Sequence, residues 1–164
     1  MLSAKVILEE LKKQGITHII GLPDNGSRVL FELLWVTPEI EVIQVSREGE
    51  AFAIASGLYL GGKNPAVLIQ NTGFLESGDA FRGTVHNMRI PLLLLIGYRG
   101  YKTLTPDAPR MDSVATFLEP TLKAWEIPYS ILTDDKEADQ ISRGVKKACD
   151  TSLPAAVLIA EQTI

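Results

Sequence analysis

Sulfur and imidazole are scarce in this chain: one cysteine, Cys149, and two histidines, His18 and His86, stand among 164 residues. One thiol excludes an intramolecular disulfide and any cysteine-based metal cluster. Cys149 falls on a helical pattern and is expected to pack rather than to react. Neither histidine has a second histidine or a carboxylate at ligand spacing, so both are expected to be structural. A cationic excess is also lacking. Sixteen Lys and Arg face twenty Asp and Glu, a net charge of −4. That excludes the basic face a nucleic-acid partner requires, and it disfavours an anionic membrane surface. No apolar run is long enough to cross a bilayer, the longest being Ile90 to Gly97. The chain starts directly in a helical pattern with Glu9 and Glu10, so no secretory leader is expected and a cytoplasmic location is. Three phosphate- or acyl-handling signatures are missing as well: G-x-G-x-x-G, G-x-x-x-x-G-K-[ST] and G-x-S-x-G.

What is present is a regular alternation of helical and strand patterns over residues 1–164, read as one domain. Ser3 stands as an N-cap before a helix with Ala4, Ile7, Leu8 and Leu11 on one face, stopped by Gly15. Strands are predicted at Thr17–Gly21, Ile40–Val45, Ala66–Gln70, Pro91–Ile96, Pro128–Leu132 and Ala155–Ala160. Helices separate them, including Glu48–Leu60, a segment from Gly73 to about Asn87, and Ser113–Ala124. The last helix is capped by Asp134 or Asp135, with Ala138, Ile141, Val145 and Ala148 inward. Pro91–Ile96 is the most hydrophobic strand and belongs at the centre, because strands covered on both faces read as unbroken apolar runs. The fold class is therefore α/β: a six-stranded parallel sheet with helices on both faces.

In such a sheet ligands sit beyond the carboxyl ends of the strands. Four turns are singled out: Leu22–Gly26, Ser46–Gly49, Asn71–Phe74, and the fifteen-residue loop from Tyr98 to Asp112. The second turn opens the most informative segment, running from Ser46 through Glu48, Glu50, Ala51, Ala53, Ala55, Ser56 and Gly57 to Tyr59. Acids in a first helical turn favour its positive end, which accounts for one of Glu48 and Glu50 but not both. The run of small residues predicts close approach by another helix or subunit.

This stretch resembles the catalytic-glutamate segment of thiamine-diphosphate-dependent decarboxylases, where a Glu precedes a Gly by nine residues within an Ala-rich helix. Glu48 and Gly57 have that spacing and Glu50 does not. Gly21-Leu22-Pro23-Asp24, Gln70-Asn71-Thr72-Gly73 and Ile90 through Gly97 to Tyr98-Arg99-Gly100 resemble the other active-site segments of the sulfopyruvate and phosphonopyruvate decarboxylases. The short chain matches the small, pyrimidine-binding subunit of the former. Two departures fall in the same region. The loop after Arg99-Gly100 carries no histidine, and the third turn continues Gly73-Phe74-Leu75-Glu76.

The resemblance implies specific roles. Glu48 would be the catalytic acid, bonded to the pyrimidine N1′ of thiamine diphosphate, with Asp24, Asn71, Thr72 and Gly73 also against the cofactor. Arg99, Arg110 and Asn25 would face a small anionic 2-oxoacid. The family's diphosphate signature, Gly-Asp-Gly followed by Asn-Asn, is lacking; Gly78-Asp79-Ala80 comes nearest. No metal ligands are therefore assigned to this chain, and Mg²⁺ and the diphosphate would be held by a separate beta subunit in a homodimer or larger hetero-oligomer. Two other readings stand beside this one: a non-catalytic binding or regulatory domain on the same fold, and a different thiamine-diphosphate lyase or carboligase subunit.

Overall fold

The computed structural model describes residues 2–164. Six strands form one all-parallel sheet: β1 (His18–Gly21), β2 (Glu41–Gln44), β3 (Pro65–Gln70), β4 (Leu93–Gly97), β5 (Tyr129–Leu132) and β6 (Ala155–Ile159). Their spatial order is β2-β1-β3-β4-β6-β5, so the two aliphatic runs β3 and β4 lie side by side in the middle. They pair in register from Ala66 with Leu93 to Gln70 with Gly97.

Alternate residues of each strand face opposite layers. Ile20, Val67, Ile69, Leu94, Ile96 and Leu158 point to one core, shared with Phe52, Phe74, Phe81 and Leu118. Ile19, Leu68, Leu93, Leu95 and Val157 point to the other, shared with Ile7, Leu30, Phe31 and Ile141. The first core is covered by α3 (Glu48–Leu60), α4 (Asn71–Glu76), α5 (Gly78–Phe81) and α6 (Ser113–Ala124), and the second by α1 (Ala4–Lys13), α2 (Arg28–Trp35) and α7 (Asp139–Thr151). Helices thus cover both faces, as the alternation predicts. Among the described residues no helix is long and apolar enough to cross a membrane.

Several local expectations are corrected. Ser3 occupies the N-cap position of α1 without a side-chain bond; its amide instead donates to Asp135 Oδ1 at 2.7 Å. Asp134 caps a 3₁₀ turn, Asp135–Glu137, that precedes α7. Cys149 does not pack: it follows the inward-facing Ala148 on α7 and is exposed. The polar stretch Asn71-Thr72-Gly73 is already helical, since α4 begins directly at the end of β3. The helix predicted to run on to Asn87 is broken at Ser77 and ends in a π-turn, Arg82–His86.

Helix α6 is tied to the sheet by a shared carboxylate. Tyr98, at the end of β4, donates to Glu119 Oε1 at 3.0 Å, and Tyr129 of β5 donates to Glu119 Oε2 at 2.5 Å. Burial and then the bond to Glu119 push the Tyr129 hydroxyl up to about 12, and the same causes raise Tyr98. Both phenols therefore stay protonated and donating at physiological pH.

The centre of the sheet also has a steric requirement. A Cβ on Gly21 would overlap the backbone carbonyl of Leu68 on β3, and backbone has nowhere to go. Gly21→Ala is expected to destabilise the chain by about 3 kcal/mol. Chemical denaturation of variant and parent checks this directly, and a loss under about 0.5 kcal/mol, the size of an ordinary surface substitution, would contradict it.

Candidate active site

The carboxyl ends of the strands carry two adjoining sets of functional groups, one over each face of the sheet. The first is built on Glu48. Both acids stand in the first turn of α3, but they are used differently. Glu50 is exposed, and its Oε2 accepts from the amides of Ser46 at 2.9 Å and Arg47 at 3.1 Å. It is the helix-capping acid. Glu48 is half-buried, and no donor among the described residues reaches its carboxyl. Its side chain lies across Gly73 in the first turn of α4, where a Cβ would overlap Glu48 Cδ. Arg47 pairs with Glu76 of α4 and braces the two turns beside it.

Thr72 is exposed, with its hydroxyl donating to Gln70 Oε1 at 3.0 Å. Asn71 is fully buried. Its Nδ2 donates to the Arg99 carbonyl at 2.9 Å, and its Oδ1 has no partner among the described residues. Asn71 thereby joins the third turn to the loop after β4. Phe74, one of the departures noted in the sequence, packs at 6.0 Å from Phe81 and 5.3 Å from Trp125 in the core, away from the carboxyl edge.

The second set lines a cleft of about 690 Å³ between the ends of β1, β3, β4 and β6. Asp24 Oδ1 accepts from Gly26 N at 2.5 Å and Ser27 N at 3.2 Å, which shapes the turn into α2. Its Oδ2 is buried and unpartnered, on the side towards Gly97. Asn25, Gln70 and Arg99 complete three of the walls. Arg99 does not turn into the protein. Gly100, at φ +82°, reverses the chain at once and leaves the Arg99 side chain 60% exposed at the rim, 3.4 Å from Asp112. Arg110 is exposed and is not among the residues lining the cleft.

The fourth wall was not read from the sequence. It is the tail Glu161-Gln162-Thr163. Gln162 donates to the Asn25 carbonyl at 3.1 Å, Thr163 donates twice to the Gly26 carbonyl, and Glu161 pairs with Lys102 at 2.8 Å. The signal was available: three polar residues follow the sixth strand at its carboxyl end, the same edge that singled out the other turns.

This geometry can be set beside known proteins. Residues 1–115 match the family described as thiamine pyrophosphate enzyme, N-terminal TPP binding domain. The chain belongs to that family. It is 31% identical to the sulfopyruvate decarboxylase subunit alpha of Methanocaldococcus jannaschii, over 96% of this chain and 93% of that one. It is 27% identical to the corresponding subunit of Methanothermobacter thermautotrophicus, over 96% and 94%. Against the phosphonopyruvate decarboxylase of Streptomyces viridochromogenes the identity is 25%, over 82% of this chain and 34% of that longer protein.

The residues present fit one half of the family's cofactor. Glu48 offers a carboxyl without a protein partner, which a ring nitrogen can share, and Gly73 leaves the space that holds it. For the diphosphate half the donor set is different. Mg²⁺ takes carboxylate and phosphate oxygens, and among the described residues no group of three His, Cys, Asp or Glu is placed to hold a metal. Asp79, of the Gly78-Asp79-Ala80 stretch, pairs with Arg82 at 2.6 Å.

The thiamine pyrophosphate enzyme family assignment makes Gly73 testable. Gly73→Ala meets only a flexible side chain, so the fold is expected to survive with an unchanged melting temperature. The Glu48 carboxyl must move, and misplacement by about 1 Å costs roughly a hundredfold in rate. Deuterium exchange at cofactor C2 in the assembled enzyme measures that loss. Equal exchange in Gly73→Ala and parent would show that the close approach is without consequence.

Proposed function

We propose that this chain is the pyrimidine-binding subunit of a thiamine-diphosphate-dependent decarboxylase acting on a small anionic 2-oxoacid of the sulfopyruvate or phosphonopyruvate kind. All 164 residues form its pyrimidine-binding domain, and it works in the cytoplasm with a separate subunit that holds the diphosphate and Mg²⁺. The observation that carries this reading is the division of labour between the two acids of α3. Glu50 is consumed in capping, while Glu48 is held over Gly73 with its carboxyl uncommitted. Near full-length similarity to decarboxylase alpha subunits supports the same conclusion.

When bound, the cofactor supplies an electron sink for the carboxylate-carbon bond of the substrate. The chain's own residues supply the rest. Glu48 holds or returns a proton at the pyrimidine N1′. Asn71 fixes the Arg99 carbonyl, and with it the start of the loop above the site. Asp24 lines the cleft, and its inner oxygen Oδ2 is buried with no partner among the described residues. Arg99, with Asn25 lining another wall of the same cleft, meets the substrate's second acidic group; a guanidinium fork suits a carboxylate, sulfonate or phosphonate.

The test is a decarboxylation assay on the chain co-expressed with its partner subunit. Glu48→Gln is expected to keep the fold and lose a hundredfold or more in kcat, the size of a lost acid–base contribution, while Glu50→Gln loses far less. Arg99→Ala is expected to raise KM about thirtyfold for an anionic 2-oxoacid and to leave a neutral one unchanged. The reverse ranking of the two glutamates would reject the assignment of Glu48.

The separate subunit has a surface to meet. Ala51, Phe52, Ala55 and Ser56 of α3 face the chain's own core, while Ala53, Gly57 and Leu60 are exposed. A Cβ on Gly57 would meet nothing within 4 Å, and the same holds for Gly83 in the neighbouring π-turn. A helix apolar on all sides with one bare face is suited to burial against another chain. Gly57→Leu is therefore expected to leave the isolated chain as stable as before, or slightly more so from better helix propensity, and to weaken assembly. Sedimentation of the co-expressed complex measures this, and unchanged assembly would place the interface elsewhere.

A further inference from the structure

The loop after β4 is closed at its neck by contacts that converge on one residue, Asp112. A Cβ on Gly100 would stand 2.8 Å from Asp112 Cβ, so the two ends of the loop touch. The Asp112 amide donates to Thr103 Oγ1 at 2.9 Å. The Asp112 carboxylate is divided. Oδ1 accepts from Val114 N at 3.3 Å and caps α6, while Oδ2 lies 3.4 Å from Arg99 Nε.

The loop carries a second cation, Lys102, and its state is different. Lys102 is held by Glu161 at 2.8 Å. The Arg99 contact is long and involves Nε, leaving the two Nη groups without an ion-pair partner among the described residues. Arg99 lines the cleft with a side chain 60% exposed, and Asp112 retains 31% exposure beside it. An anion drawn to this guanidinium therefore meets the charge of Asp112 a few ångströms away. In partly exposed surroundings such a charge changes an equilibrium constant by at most about fivefold, enough to bias selection and too little to close the site.

We propose that Asp112 is an internal competitor for Arg99 and weakens the hold of the cleft on every incoming anion. This rests on reading Arg99 as the anion-binding group. An incoming acid must displace a carboxylate already in place or bind against its charge, so every anion meets a penalty to which neutral ligands are indifferent. The contact is also what keeps Arg99 at the rim rather than loose in solvent.

Asp112→Asn separates charge from structure, because Asn caps a helix as well as Asp does. The full chain, ¹⁵N-labelled, is titrated with methanesulfonate while the Arg99 Nε–Hε signal is followed, with dimethyl sulfone as the neutral isostere. Asp112→Asn is expected to tighten methanesulfonate binding roughly two- to fivefold, leave dimethyl sulfone unchanged and preserve the melting temperature. Arg99→Ala is expected to abolish methanesulfonate binding in either background. Unchanged or weaker binding in Asp112→Asn, with Arg99→Ala still abolishing it, overturns the competitor role and leaves Arg99 standing. Binding that survives Arg99→Ala overturns the reading of Arg99 itself. Asp112→Ala loses the cap as well as the charge; tightening in that variant but not in Asp112→Asn would trace the effect to an opened loop and also overturn the proposal.

Discussion

The passage of the Glu48 side chain over Gly73 sets the terms for the rest of the carboxyl edge. Strands β2 and β3 flank β1 in the sheet, and α3 must cross from one to the other. Its first turn is thereby delivered against the first turn of α4, two helix starts meeting with the Glu48 side chain between them. The contact is possible because position 73 has no side chain and because α3 lies close to the sheet. Ala51, Ala55 and Ser56 make that closeness possible, and the Ser56 hydroxyl donates to the Thr84 carbonyl at 2.7 Å, tying α3 to the neighbouring π-turn as well. Larger residues there would lift the helix and carry Glu48 away from α4.

Much of this was legible in the sequence because it depends on local patterns. Unbroken apolar runs mark β3 and β4 as central, and the alternation of elements dictates a parallel sheet with ligand turns on one edge. The resemblance carried by the nine-residue spacing from Glu48 to Gly57 separates two acids that composition alone treats as equal, and in the structure Glu50 is the one engaged by backbone amides. The thin helix was legible too, though for a reason only half recognised. Most of its small residues serve packing within the chain, and only Ala53 and Gly57 are left exposed.

What escaped the sequence reading depends on contacts between distant residues. Asn71-Thr72-Gly73 consists of turn-forming residues, and nothing local shows that a helix starts there at once or that the Asn71 amide reaches the Arg99 carbonyl, 28 positions away. The tail forms a cleft wall through bonds from Gln162 and Thr163 to the backbone of residues 25 and 26, a separation of 137 positions. Arg99 stands two positions beyond β4, and nothing local shows which way its side chain turns. The left-handed turn at Gly100 reverses the backbone without confining the side chain, and Asp112 does the confining instead. Periodicity reports which face of an element is buried, not which side chains meet across the top of a sheet.

The closed neck of the loop bears on how such a protein can change over evolutionary time. Gly100, Thr103 and Asp112 hold the two ends together whatever the chain does between them. Once the ends of a loop are fixed, doubling its length costs only about 0.6 kcal/mol in closure entropy. Leu104 packs against the core, but residues 105–111 can be lengthened, shortened or rewritten with little consequence for the sheet beneath or for the acid at the head of α3. Variation in the exposed part of this loop and retention of the sheet and its carboxyl-edge turns are mechanically separate in this architecture.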